Sequence, residues 1–192
     1  AKDAHSGKVM FDDFVVNYEN IEPISDTTEA PEVTFRGTSG NDTINITNDL
    51  ILDDKVAITI QSPQFERVTF ANKGTVIIDG IEGDDLFQLD LTYPAAGLEA
   101  LTIRGGDGND TIQAIDKNVL LEGVDLTLEA ERIIINNSTV KGRNINLLAE
   151  ASVGGANPFA HVKTLIELDD ATIEATGDLR LKTSSVQEKP AV

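Results

Sequence analysis

The sequence contains no cysteine and no tryptophan, and aromatic residues make up only 5% of its 192 residues. The absence of cysteine excludes disulfide bonds and zinc sites with thiolate ligands. The scarcity of aromatic side chains disfavours a groove in which sugar rings pack on flat apolar faces. No apolar run approaches the roughly 20 residues that span a bilayer. The opening residues, AKDAHSG, have neither the basic nor the apolar region of a secretion signal. We therefore expect no membrane insertion, and a chain that is either processed or an excerpt of a longer protein.

Basic residues are also few, because 15 lysines and arginines stand against 33 acidic residues and the formal net charge is -18. A charge of this sign repels nucleic acids and anionic membrane surfaces, so neither is an expected partner. It is compatible both with a requirement for cations and with a surface that only keeps the protein soluble.

What the sequence does contain is one pattern in three copies, at residues 33–47 (VTFRGTSGNDTINIT), 76–90 (VIIDGIEGDDLFQLD) and 101–116 (LTIRGGDGNDTIQAID). Apolar residues alternate on both sides of each glycine-rich turn, which predicts two strands per copy. We expect the glycines to adopt backbone angles that a side chain would forbid. The copies align glycines in two columns and aspartates in a third: Gly37, Gly80 and Gly105; Gly40, Gly83 and Gly108; Asp42, Asp85 and Asp110.

Each copy is therefore interpreted as one coil of an all-β fold, a single-stranded parallel β-helix or β-solenoid with glycine–aspartate turns. Gly37 and Gly80 are 43 positions apart, whereas Gly80 and Gly105 are 25 apart. This spacing predicts an additional coil without a glycine turn between the first two copies, and direct contact between the last two. Residues 25–32 have the polar, proline-containing composition of a linker.

Beyond residue 116 a second repeat follows, without glycine–aspartate turns. Three groups of apolar residues recur in it: Leu121, Leu126 and Leu128; Val140, Ile145 and Leu147; Ile173, Leu179 and Leu181. Residues 126–135 could form a helix, but the consecutive isoleucines favour a strand. Residues 153–162, which include His161, are expected to form a loop that projects from the stack. The whole chain, residues 1–192, is predicted to be one elongated domain, with glycine–aspartate coils at 9–116, a second type of coil at 117–185 and a flexible tail at 186–192.

The stacking hypothesis places equivalent residues of neighbouring coils about 4.8 Å apart, the spacing between paired strands. Asp85 would then face Asp110, and Asp79 would pair with Arg104 across strands. Calcium binds about six to eight oxygens, and glycine-rich turns expose carbonyl oxygens beside carboxylates. The predicted calcium ligands are Asp85, Asp110, Asp84, Asn109, Asp107, Asp42 and Asn41. In the alternative interpretation the turns are structural corners, and each aspartate accepts backbone hydrogen bonds from its own turn.

Residues 105–113, GGDGNDTIQ, fit the nonapeptide pattern G-G-x-G-x-D-x-U-x and resemble the RTX calcium-binding repeats of proteins exported by bacterial type I systems. Residues 124–152 and 171–185 resemble β-helical adhesins of the filamentous-haemagglutinin type. Residues 18–24 (YENIEPI) and 70–85 (FANKGTVIIDGIEGDD) resemble a module of very large bacterial surface proteins. These resemblances imply a solenoid that is secreted or displayed on the cell surface.

The predicted function is that of a structural or adhesive segment of a large extracellular bacterial protein, stabilised by calcium and able to stack end to end into a filament. The expected partners are copies of itself, adjacent solenoid segments, and cell-surface or matrix glycans. One alternative is a polysaccharide-active parallel β-helix enzyme of the lyase or epimerase type, or its calcium-binding accessory module. Ice binding is a further alternative, although only one Thr-x-Asn triplet, Thr43 to Asn45, is present. The sequence contains no phosphate-binding loop and no nucleophile elbow, so no catalytic residue is predicted.

Overall fold

The computed structural model describes residues 6–11, 14–19, 23–48, 51–150 and 164–184, and these residues form strands and turns without any helix. The strands are β1 Ser6–Phe11, β2 Phe14–Glu19, β3 Ile24–Asp26, β4 Ala30–Arg36, β5 Thr43–Thr47, β6 Ile51–Leu52, β7 Lys55–Val56, β8 Ile58–Ser62, β9 Phe65–Phe70, β10 Lys73–Asp79, β11 Leu86–Asp90, β12 Ala100–Arg104, β13 Thr111–Ile115, β14 Val119–Leu120, β15 Asp125–Ala130, β16 Arg132–Asn136, β17 Thr139–Gly142, β18 Ile145–Glu150, β19 Leu165–Asp169, β20 Thr172–Ala175 and β21 Leu179–Ser184.

Most of these strands belong to two eight-stranded sheets. The first has the order β2-β1-β4-β10-β12-β15-β18-β21, and its last six strands are parallel. The second has the order β19-β16-β13-β11-β5-β8-β9-β3, with β5, β11, β13, β16 and β19 parallel. Strands β14, β17 and β20 form a third, parallel sheet, and β6 and β7 form a hairpin. The described chain is therefore all-β with several parallel sheets, as the alternation of apolar residues predicts.

The parallel strands are paired so that residues of one sequence column lie beside each other. Val76 pairs with Val33 on one side and with Leu101 on the other, which confirms the predicted alignment of the three copies. On the far side of the turn Phe87 lies between Ile44 and Ile112 in the same manner. These side chains are fully buried in one hydrophobic core that is shared by the three larger sheets. Burial of each of these apolar side chains contributes about 1.5–3 kcal/mol, so the inward columns stabilise the pairing of the sheets.

The predicted coil between the first two copies is wrong, because β4 pairs directly with β10. The intervening residues instead form the hairpins β6–β7 and β8–β9, and β8 pairs antiparallel with β5. Only Pro63 and Gln64 separate β8 from β9, and a connection this short returns the chain antiparallel, whereas a parallel strand needs a long crossover. Alternating apolar residues predict strands but do not reveal this difference in direction.

Residues 25–32 are not an external linker, since they contain parts of β3 and β4. Asp26 is anchored by Lys73, whose Nζ lies 3.1 Å from Asp26 Oδ2 and whose side chain is 1% exposed. Burial raises the pKa of Asp26, but hydrogen bonds from Thr28 and the charge of Lys73 outweigh it and leave the pKa below its usual value. A segment of polar composition thus contributes a partly exposed carboxylate that pairs with a buried lysine.

In the C-terminal part, residues 126–135 form β15 and β16, which confirms the strand assignment. Leu126 pairs with Ile145, and Ile145 with Leu179, as predicted. The partner of Val140 is Val119 rather than Leu121, because the turn that contains Gly123 shifts the alignment by two residues. The predicted loop at 153–162 and the predicted tail at 186–192 lie outside the described residues.

Candidate functional site

The three glycine–aspartate turns connect the first large sheet to the second. They join β4 to β5, β10 to β11, and β12 to β13. Because the strands on both sides of each turn are parallel and in register, the turns lie over one another. Their last residues, together with Glu131 of the next connection, form what we call the acidic column: Asp42, Asp85, Asp110 and Glu131.

The acidic column is linked by hydrogen bonds between neighbouring turns. The backbone N–H of Asp42 donates to Asp85 Oδ1 at 2.8 Å, and that of Asp85 donates to Asp110 Oδ1 at 2.8 Å. The N–H of Asp110 donates to Glu131 Oε2 at 3.0 Å. These four residues are between 0% and 2% exposed. The Asp85 and Asp110 carboxylates thus each accept an N–H of the preceding turn. This differs from the alternative interpretation of the sequence, in which each aspartate accepts hydrogen bonds from its own turn.

Asp42, at the start of the column, also serves its own turn. Its Oδ2 accepts the backbone N–H of Thr38 at 2.6 Å, and its Oδ1 accepts the Thr38 hydroxyl at 3.0 Å. Both carboxylate oxygens of Asp42 therefore have partners. The structural alternative describes this first turn correctly.

A second set of contacts, the outer ladder, consists of Asn41, Asp84 and Asn109 on the exposed side of the turns. Asn41 Oδ1 accepts the N–H of Asp84, and Asp84 Oδ1 accepts the N–H of Asn109, both at 2.9 Å. The donors here belong to the later turn, so the outer ladder runs in the opposite sense to the acidic column. Asp107 is exposed, and its backbone pairs with Ile81 and Gly83. The structure thus places the seven predicted ligands in one stack of turns but divides them into a buried and an exposed set.

The first glycine column is required by close packing rather than by backbone angle. A Cβ on Gly80 would lie 2.1 Å from Asp85 Oδ2, and one on Gly105 would lie 2.2 Å from Asp110 Oδ2. Neither glycine has a positive φ, in contrast to the prediction, whereas Gly83 and Gly108 do. The glycine and the aspartate five residues later therefore form one packing unit, in which the glycine leaves room for the carboxylate.

Two atoms in the column lack a partner. Oδ2 of Asp85 and Oδ2 of Asp110 are buried and accept no hydrogen bond from the residues that the structure describes. Burial raises the pKa of Asp85 to about 6, and the nearby carboxylates of Asp42 and Asp84 add to the rise. Burial likewise raises the pKa of Asp110 to about 7, with a further contribution from Glu131. The structure consequently disfavours negative charge on Asp85 and Asp110, and either protons or a cation would relieve this.

The sequence interpretation missed Glu131. The segment from Glu131 to Ile133 aligns with the segment from Asp110 to Ile112, and Ile112 pairs with Ile133. No glycine precedes Glu131, so a search for glycine turns passes over it. The spacing of the isoleucines was the signal that could have found it.

The predicted partners Asp79 and Arg104 do lie opposite each other. Their ion pairs, however, are formed with other residues. Arg36 Nε lies 3.8 Å from Asp79 Oδ2, and Arg104 Nε lies 3.4 Å from Glu129 Oε2. These pairs are half-exposed, so each contributes little to stability.

In the part of the chain that the structure describes, no group of three or more histidine, cysteine, aspartate or glutamate side chains is placed to hold a metal ion. No helix among the described residues is long and apolar enough to cross a membrane. Comparison with known proteins adds no identification, because no family model, no curated protein and no solved structure matches the chain.

Proposed function

We propose that the chain is a β-solenoid segment with a structural and adhesive role in a large extracellular bacterial protein. The observation that supports this proposal is the parallel pairing of β4, β10, β12, β15, β18 and β21, in which each strand repeats the inward columns of the one before. Continuous backbone ladders and aliphatic columns resist bending, which suits a rod that holds other parts of a protein at a distance. The secreted or surface location rests on the resemblance to RTX proteins and haemagglutinin-type adhesins.

Small-angle X-ray scattering of the purified chain tests the solenoid. A rod with the cross-section of one repeat is expected, and a globular particle would overturn the proposal. Adhesion is tested separately with beads that display the folded chain, on surfaces coated with matrix or cell-surface glycans. Beads that display the heat-unfolded chain are the control, and equal retention of both would remove the adhesive role. Adjacent solenoid segments and copies of the chain are the other proposed partners.

We further propose that calcium stabilises the acidic column. The unpartnered Oδ2 atoms of Asp85 and Asp110 favour this, since a buried carboxylate oxygen without a donor is a suitable ligand for a hard cation. The Oδ1 atoms of the same carboxylates already accept backbone hydrogen bonds, so the remaining ligands would come from carbonyl oxygens of the turns rather than from the exposed outer ladder or Asp107. Calcium bound there would neutralise charge that the fold otherwise buries.

A calcium titration followed by melting temperature tests this site, with magnesium as the control ion because its tighter octahedral shell fits loosely arranged carbonyls less well. A calcium-specific rise that is lost in Asp110→Asn is expected. Asp107→Asn is the control variant and should keep the rise. An equal rise in both variants, or no rise in either at millimolar calcium, would exclude calcium from the column.

A further inference from the structure

We propose that the end face formed by β19, β20 and β21 is a docking surface for one further parallel three-strand unit, and that Asp178 sets the register of that unit. This inference rests on the proposed solenoid and specifies where the stack continues. The occupant is a unit with aliphatic inward columns and a backbone N–H donor at the position equivalent to Asp178.

The apolar columns of the core continue uncovered on this face. Ile145 is fully buried, whereas Leu179, its partner in the same column, is 47% exposed. Leu147 and Leu181 show the same contrast, since Leu147 is fully buried and Leu181 is 49% exposed. The same sequence column is thus buried in the unit β16 to β18 and about half-exposed in the unit β19 to β21, because no further described strand covers the last unit.

The same three strands have one edge each that no other described strand covers. Among the described residues β19 pairs only with β16, β20 only with β17 and β21 only with β18. Unpaired strand edges present backbone donors and acceptors that take another strand. The preceding unit, β16 to β18, has the same face and is covered by β19 to β21 in parallel register. The interface between these two units therefore indicates what kind of occupant fits the end face, namely another parallel three-strand unit.

A side-chain ladder points to the same occupant. Asp125 Oδ1 accepts the backbone N–H of Asn144 at 3.2 Å, and Asn144 Oδ1 accepts the backbone N–H of Asp178 at 2.9 Å. These three residues each precede the first inward residue of β15, β18 and β21. Asp178 is exposed, and its carboxylate accepts no hydrogen bond from the described residues. It is the next acceptor of the ladder, and a following unit in register would supply the N–H.

The opposite end of the stack does not offer a matching surface in a second copy. There the parallel ladders stop, because β1 pairs antiparallel with β4, and β8 pairs antiparallel with β5. Among the described residues the two ends of the stack therefore differ. A second copy placed head to tail would meet antiparallel hairpins, and so a further parallel unit fits the face better than another copy does.

The test is an extended chain in which residues 131–150 are repeated directly after Thr183. Thr183 aligns with Ala149, and Ala149 aligns with Ala130. The repeated segment therefore follows Thr183 in the same way that Glu131 follows Ala130 in the natural chain. Amide hydrogen exchange in β19 to β21 is expected to slow by at least about tenfold, because edge amides become ladder amides. The control is the same extension with its 20 residues in scrambled order, which should leave exchange unchanged.

Asp178→Ala provides the second readout. In the extended chain it should lower the melting temperature and partly reverse the slowed exchange, whereas in the original chain it should change neither. Three outcomes would overturn the inference: exchange as fast as in the scrambled control, equal effects of Asp178→Ala in both chains, or protection of β19 to β21 in the original chain by dimerisation. Rod-like scattering with any of these outcomes would remove this inference and leave the solenoid proposal standing.

Discussion

The backbone N–H of Asp85 donates a 2.8 Å hydrogen bond to Oδ1 of Asp110 in the next turn. This contact joins residues that are 25 positions apart in the sequence. Through it the buried carboxylate of one turn accepts a backbone hydrogen bond from the neighbouring turn. The same relation between Asp42 and Asp85 makes it a repeated feature of the stack. Removal of one carboxylate should therefore affect a turn other than its own.

Asp110→Ala should destabilise the chain by about 1–3 kcal/mol, because the N–H of Asp85 would be buried without an acceptor. Asp110→Asn keeps an oxygen that can accept this bond, and we expect it to cost less. Urea unfolding at pH 5 in EDTA measures both effects, because the raised pKa of Asp110, about 7, keeps its side chain protonated there and no buried charge is removed by the substitution. Asp107→Ala, at an exposed position of the same turn, is the control and should change stability by less than about 0.5 kcal/mol. Equal losses at positions 107 and 110 would contradict the proposed linkage.

The stability of the chain should fall as the pH rises from 5 to 8 when calcium is absent. Burial raises the pKa of Asp85 to about 6 and that of Asp110 to about 7, both above the ordinary value of 3.8. The folded state therefore binds more protons, and this contribution is complete below about pH 3.8 and is lost as the pH passes through 6 and 7. The lowered pKa values of Asp26 and Asp125 act in the opposite sense, but only in more acidic solution.

Urea unfolding in EDTA at intervals between pH 5 and 8 measures this dependence. The double variant Asp85→Asn/Asp110→Asn should have a flatter profile, because neither side chain titrates. A profile as steep as that of the unmodified chain would show that other groups cause the dependence.

Ile81→Gly should stabilise the chain by about 1 kcal/mol. Ile81 has φ of 84°, a conformation that is strained for a β-branched residue, and it stands where the third copy has Gly106 with φ of 103°. Relief of the strain should exceed the entropic cost of a new glycine, which is about 0.5–1 kcal/mol.

Gly106→Ala is the matched reverse change. A Cβ at this position would lie 2.4 Å from the carbonyl oxygen of Ile81, so a loss of about 1–3 kcal/mol is expected. Thermal unfolding of both variants provides the comparison. Destabilisation by Ile81→Gly would mean that the packing of the isoleucine side chain outweighs its strain.

Gly80→Ala and Gly40→Ala should differ sharply although both replace glycines of the repeat. A Cβ on Gly80 would lie 2.3 Å from the carbonyl oxygen of Gly105 and would also collide with Asp85, so we expect a loss of about 3 kcal/mol or failure to fold. The nearest atom to a Cβ on Gly40 is the Thr38 hydroxyl oxygen at 3.9 Å, and Gly40 has no positive φ. Gly40→Ala should change the melting temperature by little. Similar losses in both variants would contradict the packing role assigned to the first glycine column.

The alignment of the three copies could be derived from the sequence because it depends on a local pattern. Val33, Val76 and Leu101 precede the turns at the same distance, and parallel pairing then brings them together. The antiparallel direction of β8 and β9 could not be derived, since alternating apolar residues occupy one face whichever way a strand runs. The membership of Glu131 in the acidic column was also hidden, because it depends on the neighbouring strands and not on a turn motif.

By itself the sequence determined the strands that flank the three glycine–aspartate turns, their inward faces and the columns of aspartate and glycine, since each of these follows from a pattern within a short segment. Only the tertiary structure decided which atoms of Asp85 and Asp110 are sealed from water, why Gly80 has no side chain and where the parallel ladders stop. These properties arise from contacts between residues of different units. They depend on how the chain stacks, which no single segment encodes.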